Sequence, residues 1–229
     1  MTTASGQVAL VTGAAGALGM PLVRRLMAAG IDCVVLDRQR RALERLHDEL
    51  GAGGRAPLLV PMDLTGAGPE DHADLAAALE REFGRLDLLI HAAAEFDALS
   101  PIEHHDPMSW VRIMQAGITG PFLLTRALLG LMRATPGSRV VWISDDPAHK
   151  RRAYWGAYGV AQAGREALAE ILAAESVTRG PGVISFDPGP FHSPLRSRAW
   201  PMENPLDLPT AEEAADAVLQ RLGLGGPAQ

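Results

Sequence analysis

Near its start the chain carries a short apolar run that ends at a threonine and breaks into a glycine-rich turn. Residues 8–19 read VALVTGAAGALG, with Gly13, Gly16 and Gly19 following the run and a helix-patterned segment beyond. No other stretch constrains the fold as much. Glycine lets a strand turn sharply into a helix, and the unpaired N–H groups at that helix start favour an anion such as a pyrophosphate. Close packing of helix on strand also demands glycine, so the turn alone fits a nucleotide cradle or tight packing.

Beyond the turn, apolar runs alternate with amphipathic stretches. The spacing of Leu22, Val23, Leu26 and Met27 predicts a helix over 20–29 stopped by Gly30, and residues 31–36 predict a strand ending at Asp37. Leucine and charge alternate at helical spacing over 38–50, a turn follows at 51–55, and a strand over 57–62 ends at Asp63. Helices over 69–83, 107 to about 132 and about 153 to 177 then alternate with strands over 86–91, 139–144 and 182–187. Thr210 and Glu213 predict a capping box for a last helix ending near Leu222. Such alternation implies a parallel sheet with helices on both faces and right-handed crossovers. Ligands of open sheets sit beyond the carboxyl ends of the strands, which directs attention to residues 13–19, 37, 63, 92–94, 144–146 and 188–193.

Length and charge narrow the classes further. A chain of 229 residues with no compositional break is read as a single domain over 1–229. Its net charge of −6 offers no basic field, so nucleic acid is not an expected partner. Cys33, the only cysteine, lies in the apolar run IDCVVLD and is read as a buried, inert thiol. No basic leader and no bilayer-spanning run is present, so a cytoplasmic location without membrane contact is expected. His104 and His105 lie in a polar loop without the spacing of a metal site and are read as solvent-facing. Residues 188–209 hold six prolines and read as a long functional loop over the sheet edge.

In order and spacing, the TG turn, the Asp63-Leu64 pair, the helix carrying Tyr158 and Pro188-Gly189 resemble the short-chain dehydrogenase/reductase family over nearly the whole chain. The stretches RRAYWGAYGVAQAGREALAEIL and DPGPFHSPLRSRAW resemble a bacterial one-domain branch with a Trp-Gly-x-Tyr signature and a PGPxxxPLR loop. The resemblance implies a Rossmann-type, doubly wound α/β fold of three layers, with strand order 3-2-1-4-5-6 and without the family's usual seventh strand. It also implies NAD(P) binding at Gly13, Gly16, Ala17, Leu18 and Gly19, at Asp37 and Arg38, at Asp63 and Leu64, at Ala92 and Ala93, and at Pro188, Gly189 and Ser193. In the family a carboxylate ending the second strand holds the adenosine ribose, so Asp37 favours NAD over NADP, while Arg38 and Arg40 offer guanidinium groups to a phosphate. The turn reads TGxxGxxG, with Ala17 where one-domain members carry their middle glycine.

The catalytic positions depart from the family. Tyr158 matches its tyrosine, but Gln162 stands where the lysine belongs, Asp145 where the serine belongs and Gly117 where the asparagine belongs. A phenolate at pH 7 costs about 4 kcal/mol against an ordinary tyrosine pKa, and lysine supplies the cation that offsets this. Gln162 does not, and an ionised Asp145 pushes the tyrosine pKa upward. Hydride transfer by the usual carbonyl–alcohol route is therefore expected to be impaired or lost. His149, Lys150, Arg151 and Arg152 are candidates for a replacement charge, with a solvated basic loop as the plainer reading. Two other functions stay open: a nucleotide-sensing or scaffolding protein without turnover, and a non-redox enzyme using Asp145 as acid or base with His192 as counterpart. Phe191, Leu195 and Trp200 are candidate apolar contacts for a small-molecule substrate that the sequence does not name. A homodimer or homotetramer through the helices near 107–132 and 153–177 is expected.

Overall fold

The computed structural model describes residues 6–145 and 151–224. Six parallel strands form one sheet in the order β3-β2-β1-β4-β5-β6: β1 (Val8–Thr12), β2 (Asp32–Asp37), β3 (Leu58–Pro61), β4 (Leu88–His91), β5 (Arg139–Ile143) and β6 (Gly182–Phe186). On one face, α1 (Gly19–Ala28) packs with the last helix α8 (Ala211–Arg221), through Leu22, Leu26, Ala215 and Val218. On the other, α3 (Pro69–Phe83) and α5 (Gly120–Ala134) bury Leu79, Leu124 and Leu128 beside Trp142. Apolar side chains on both sheet faces explain why the strands read as continuous apolar runs instead of alternating ones.

Local signals set the ends of these elements. Gly84 stops α3 in the left-handed conformation at φ 65°, and Thr210 and Glu213 cap α8 reciprocally. Helix α2 (Arg40–Gly51) begins two residues later than the sequence pattern suggested. The helix expected over 107–132 is interrupted: α4 (Pro107–Met114) passes through a π-turn at Gln115–Thr119 before α5. Gly117 sits in that turn, and the wider turn keeps the chain helical up to Pro121, which donates no hydrogen bond. The glycine- and alanine-rich helix is α6 (Gly156–Glu175), and the proline-rich loop contains the short helix α7 (Pro194–Ala199).

Strand register aligns the carboxyl ends. Thr12 lies beside Leu36 and His91, and Ile143 beside Phe186, so the segments that follow β1, β2, β4, β5 and β6 emerge along one edge. Among the described residues, no helix is long and apolar enough to cross a membrane.

Candidate functional site

A cleft of about 360 Å³ runs along that edge. Every residue that the resemblance assigned to cofactor or catalysis except Arg40 and Gly117 lines it, from the turn at Gly13 through Asp37 and Asp63 to Asp145, Tyr158, Gln162 and Ser193.

The glycines of the turn are dictated first by the chain's own backbone. Gly13 has φ 66°, and a Cβ there would lie 2.7 Å from Ala93 Cα; a Cβ on Gly19 would lie 2.1 Å from the Gly13 carbonyl oxygen. The amides of Ala14, Ala15 and Gly16 are engaged by Leu36 O, Asp37 Oδ2 and Gly13 O. Among the described residues, the amides of Ala17 and Leu18 at the mouth of α1 have no such acceptor. They are the orphan donors that a phosphate group satisfies at a helix start. A side chain at Ala17 leaves this backbone intact, so the shifted glycine spacing is compatible with an anion there.

At the end beside β2 and β3 the carboxylates are fixed by short local bonds. Asp37, at the tip of β2, accepts from the amides of Ala15 at 3.1 Å and Gln39 at 2.9 Å. Asp63 Oδ1 accepts from the Thr65 amide and hydroxyl, holding the turn that follows β3, and Leu64 beside it is buried. Arg38 lines the cleft, whereas Arg40 pairs with Glu44 on the exposed side of α2 and does not.

At the opposite end, Tyr158 and Gln162 stand one helical turn apart on α6. The Tyr158 hydroxyl donates to Asp145 Oδ2 at 2.9 Å. Burial, followed by the charge and hydrogen bond of Asp145, holds the phenol well above its ordinary pKa; Arg165 and the Gln162 amide act in the opposite direction. Arg165, seven residues beyond Tyr158 on the same helical face, was not singled out from the sequence. It is buried and lines the cleft, and its Nη2 donates to the His91 carbonyl at 3.0 Å. Burial lowers its pKa to about 10, so it stays charged at neutral pH. Its helical spacing from the tyrosine was the signal available for it.

The asparagine position is closed to any side chain, because a Cβ on Gly117 would lie 2.8 Å from Ala161 Cβ. Beside Tyr158 the protein's own rings pack on one another. Phe96, Trp155 and Tyr158 pack at centroid separations of 5.4 to 5.8 Å, and Trp200 stacks obliquely on Trp155 at 5.1 Å. Arg196 clamps this arrangement, lying 3.5 Å over the Trp200 ring while bridging to Glu203, and Arg198 donates to the Phe96 carbonyl. Phe191, Leu195 and Trp200 all line the cleft. Ser193 caps α7 by accepting the Arg196 amide at 3.2 Å, which leaves its hydroxyl proton for another acceptor.

Several expectations are corrected. His192 is exposed and lies outside the cleft lining, its amide tied to Pro209, so it is not a counterpart for Asp145. Arg151 and Arg152 are exposed and also absent from the lining, so they bring no charge to Tyr158; Asp146, His149 and Lys150 lie outside the described residues. His104 is exposed as expected, but His105 is half-buried and packs edge-on against Trp110 at 5.9 Å. Cys33 is buried, and that burial pushes its thiol up to about 12.

Comparison with known proteins agrees with this geometry. The sequence is 28% identical over 218 residues to the uncharacterized oxidoreductase YciK of Escherichia coli K12, covering 95% of this chain and 86% of that one. A solved structure from Pseudomonas syringae assigned to the short chain dehydrogenases superposes with TM-score 0.89 at 34% identity, covering 98% of this chain and 90% of the other. A Shigella flexneri structure complexed with NADP gives TM-score 0.89 at 28% identity, covering 96% and 91%. The profile of the short chain dehydrogenases matches residues 7–204, and the chain belongs to that family.

Proposed function

We propose that this protein holds a nicotinamide dinucleotide along the cleft, adenosine toward Asp37 and Asp63 and nicotinamide toward Ser193 and Tyr158, and that hydride transfer through Tyr158 is impaired or lost. The unpaired amides at the mouth of α1 and the carboxylates at the strand ends support the first part. Such a cofactor supplies or receives a hydride when bound. The second part is carried by one observation: the Tyr158 hydroxyl donates to Asp145, an acceptor that holds the proton on the phenol. Arg165 offsets part of this, but the lysine that would face the ribose is Gln162.

Asp37 supports NAD over NADP, and the NADP bound by the Shigella flexneri neighbour weighs against that preference. Fluorescence titration of NADH and NADPH, followed by a carbonyl panel assayed with wild type and Tyr158→Phe, tests the whole reading. Binding with negligible turnover supports it. Robust turnover abolished by Tyr158→Phe overturns the impaired-transfer half, and no binding of either nucleotide at millimolar concentration overturns the cofactor half.

We also propose a homodimer or homotetramer assembled through α4–α5 and α6, which expose Val111, Phe122, Val160 and Ile171. Light scattering that returns the 24.3 kDa mass of one chain overturns this.

A further inference from the structure

The adenosine end of the cleft is bridged by an ion pair. Arg38, just past β2, reaches Glu95, just past β4, with Nη2 3.0 Å from Oε2. Strands β2 and β4 flank β1, and both side chains belong to the cleft lining, so the pair spans the groove beyond the glycine turn. The carboxylate is the anchored partner: its side chain is 15% exposed against 48% for Arg38. Its other oxygen accepts from Arg112 Nε at 3.2 Å, and Arg112 donates in turn to Ser109 Oγ at 2.9 Å on the same helix α4.

We propose that Glu95 is a specificity residue that sets the choice between NAD and NADP by occupying Arg38. The inference rests on reading the cleft as a nicotinamide-dinucleotide site. A 2'-phosphate places close to two negative charges on the adenosine ribose, and a guanidinium is its matching bidentate partner. Here the only arginine lining this end among the described residues is already paired, and Asp37 stands beside it with its carboxylate fixed by two amides. Arg40 is paired with Glu44 at 3.0 Å outside the groove and supplies no replacement. NADP therefore has to take Arg38 from Glu95, whereas NAD leaves the pair intact. A pair held this way selects through the competition it imposes on the wrong ligand.

The test uses NADH and NADPH fluorescence titrations at one ionic strength, with 5'-AMP and adenosine 2',5'-bisphosphate as competitors that lack nicotinamide. Glu95→Gln removes the charge and keeps the shape. It is expected to raise the NADPH-over-NADH affinity ratio about tenfold, the equivalent of losing one close charge competitor. The same shift is expected in the ratio of the two adenosine competitors. Arg38→Met is expected to lower the ratio, and in its background Glu95→Gln should have no further effect. An unchanged ratio in Glu95→Gln, with both nucleotides still bound, overturns the proposal and leaves the cofactor reading standing. A full shift that persists without Arg38 overturns the route through Arg38. Wild type that binds neither nucleotide overturns the cofactor reading and this inference together.

Discussion

At the end of the cleft beside β2 and β3, Asp37 ties Ala15 and Gln39, Asp63 closes the turn after β3, and Gly13 and Gly19 make room for backbone. At the end beside β5 and α6, Tyr158 donates to Asp145, Gln162 Oε1 and Arg165 Nε are buried without hydrogen-bond partners among the described residues, and a Cβ on Gly117 would meet Ala161. Residues of the first group hold the fold whether or not a ligand is bound. Those of the second are side chains whose chemistry the sheet does not need. A chain can therefore replace the second group while the first stays in place, so an intact glycine turn is evidence about folding as much as about binding.

The largest break in this comparison comes from Gly19→Ala. If the turn is structural first, the added methyl, with its Cβ 2.1 Å from the Gly13 carbonyl, lowers unfolding free energy by roughly 3 kcal/mol, read as the midpoint of urea unfolding. Unchanged stability with lost nucleotide binding would show a turn kept for ligand alone. Next in size is the pair Asp145→Ser with Gln162→Lys. Returning the hydroxyl and the cation is expected to raise carbonyl turnover about a hundredfold over wild type, the lower range of acid–base contributions. No gain would place the barrier in the closed Gly117 position or the aromatic packing.

A smaller effect follows from His91, whose carbonyl holds Arg165 and whose ring stacks on Trp142 at 4.3 Å. Burial, then the charges of Arg165 and His72, hold its imidazole well below the usual range, so the folded protein keeps it neutral while the unfolded chain protonates near pH 6.5. Its contribution is fully present above that pH and falls by about 1.4 kcal/mol per unit as the pH drops below it. Urea unfolding at pH 7.5 and 5.5 reads this slope, and His91→Asn is expected to flatten it. The smallest effect is that of Ser193→Ala. Loss of the α7 cap costs about 1 kcal/mol. NADH affinity should weaken while ADP affinity holds, because only the nicotinamide end is touched; equal losses for both would remove Ser193 from that end.

Element types and ends were legible because periodicity and caps are local, whereas the strand order came from the family resemblance. Gly30, Gly84 and the Thr210–Glu213 box announce their boundaries within a few residues. The π-turn at Gln115–Thr119 was not legible, since two glycines and a proline in an otherwise helical pattern do not say whether the helix ends, kinks or widens. Arg165 was overlooked because a charged residue on a helix is ordinarily solvated, and only the fold shows it under the sheet edge. Glu95 and its partners Arg38 and Arg112 lie on three separate segments, and no spacing rule joins residues 38, 95 and 112. The same holds for Trp155 and Trp200, which are 45 positions apart in the chain and meet only when the proline-rich loop folds back.

The contact between Gly117 and Ala161 bears on how freely this site moves through sequence space. A Cβ built on Gly117 lies 2.8 Å from Ala161 Cβ, so an asparagine at position 117 requires its surroundings to shift. Ala161→Gly opens that space but adds a flexible residue to the middle of α6 and gains nothing by itself. Each step is unfavourable alone, and only the two together lead anywhere. Packing at this one position therefore couples residue 117 to residue 161, and a change at either is judged together with the other.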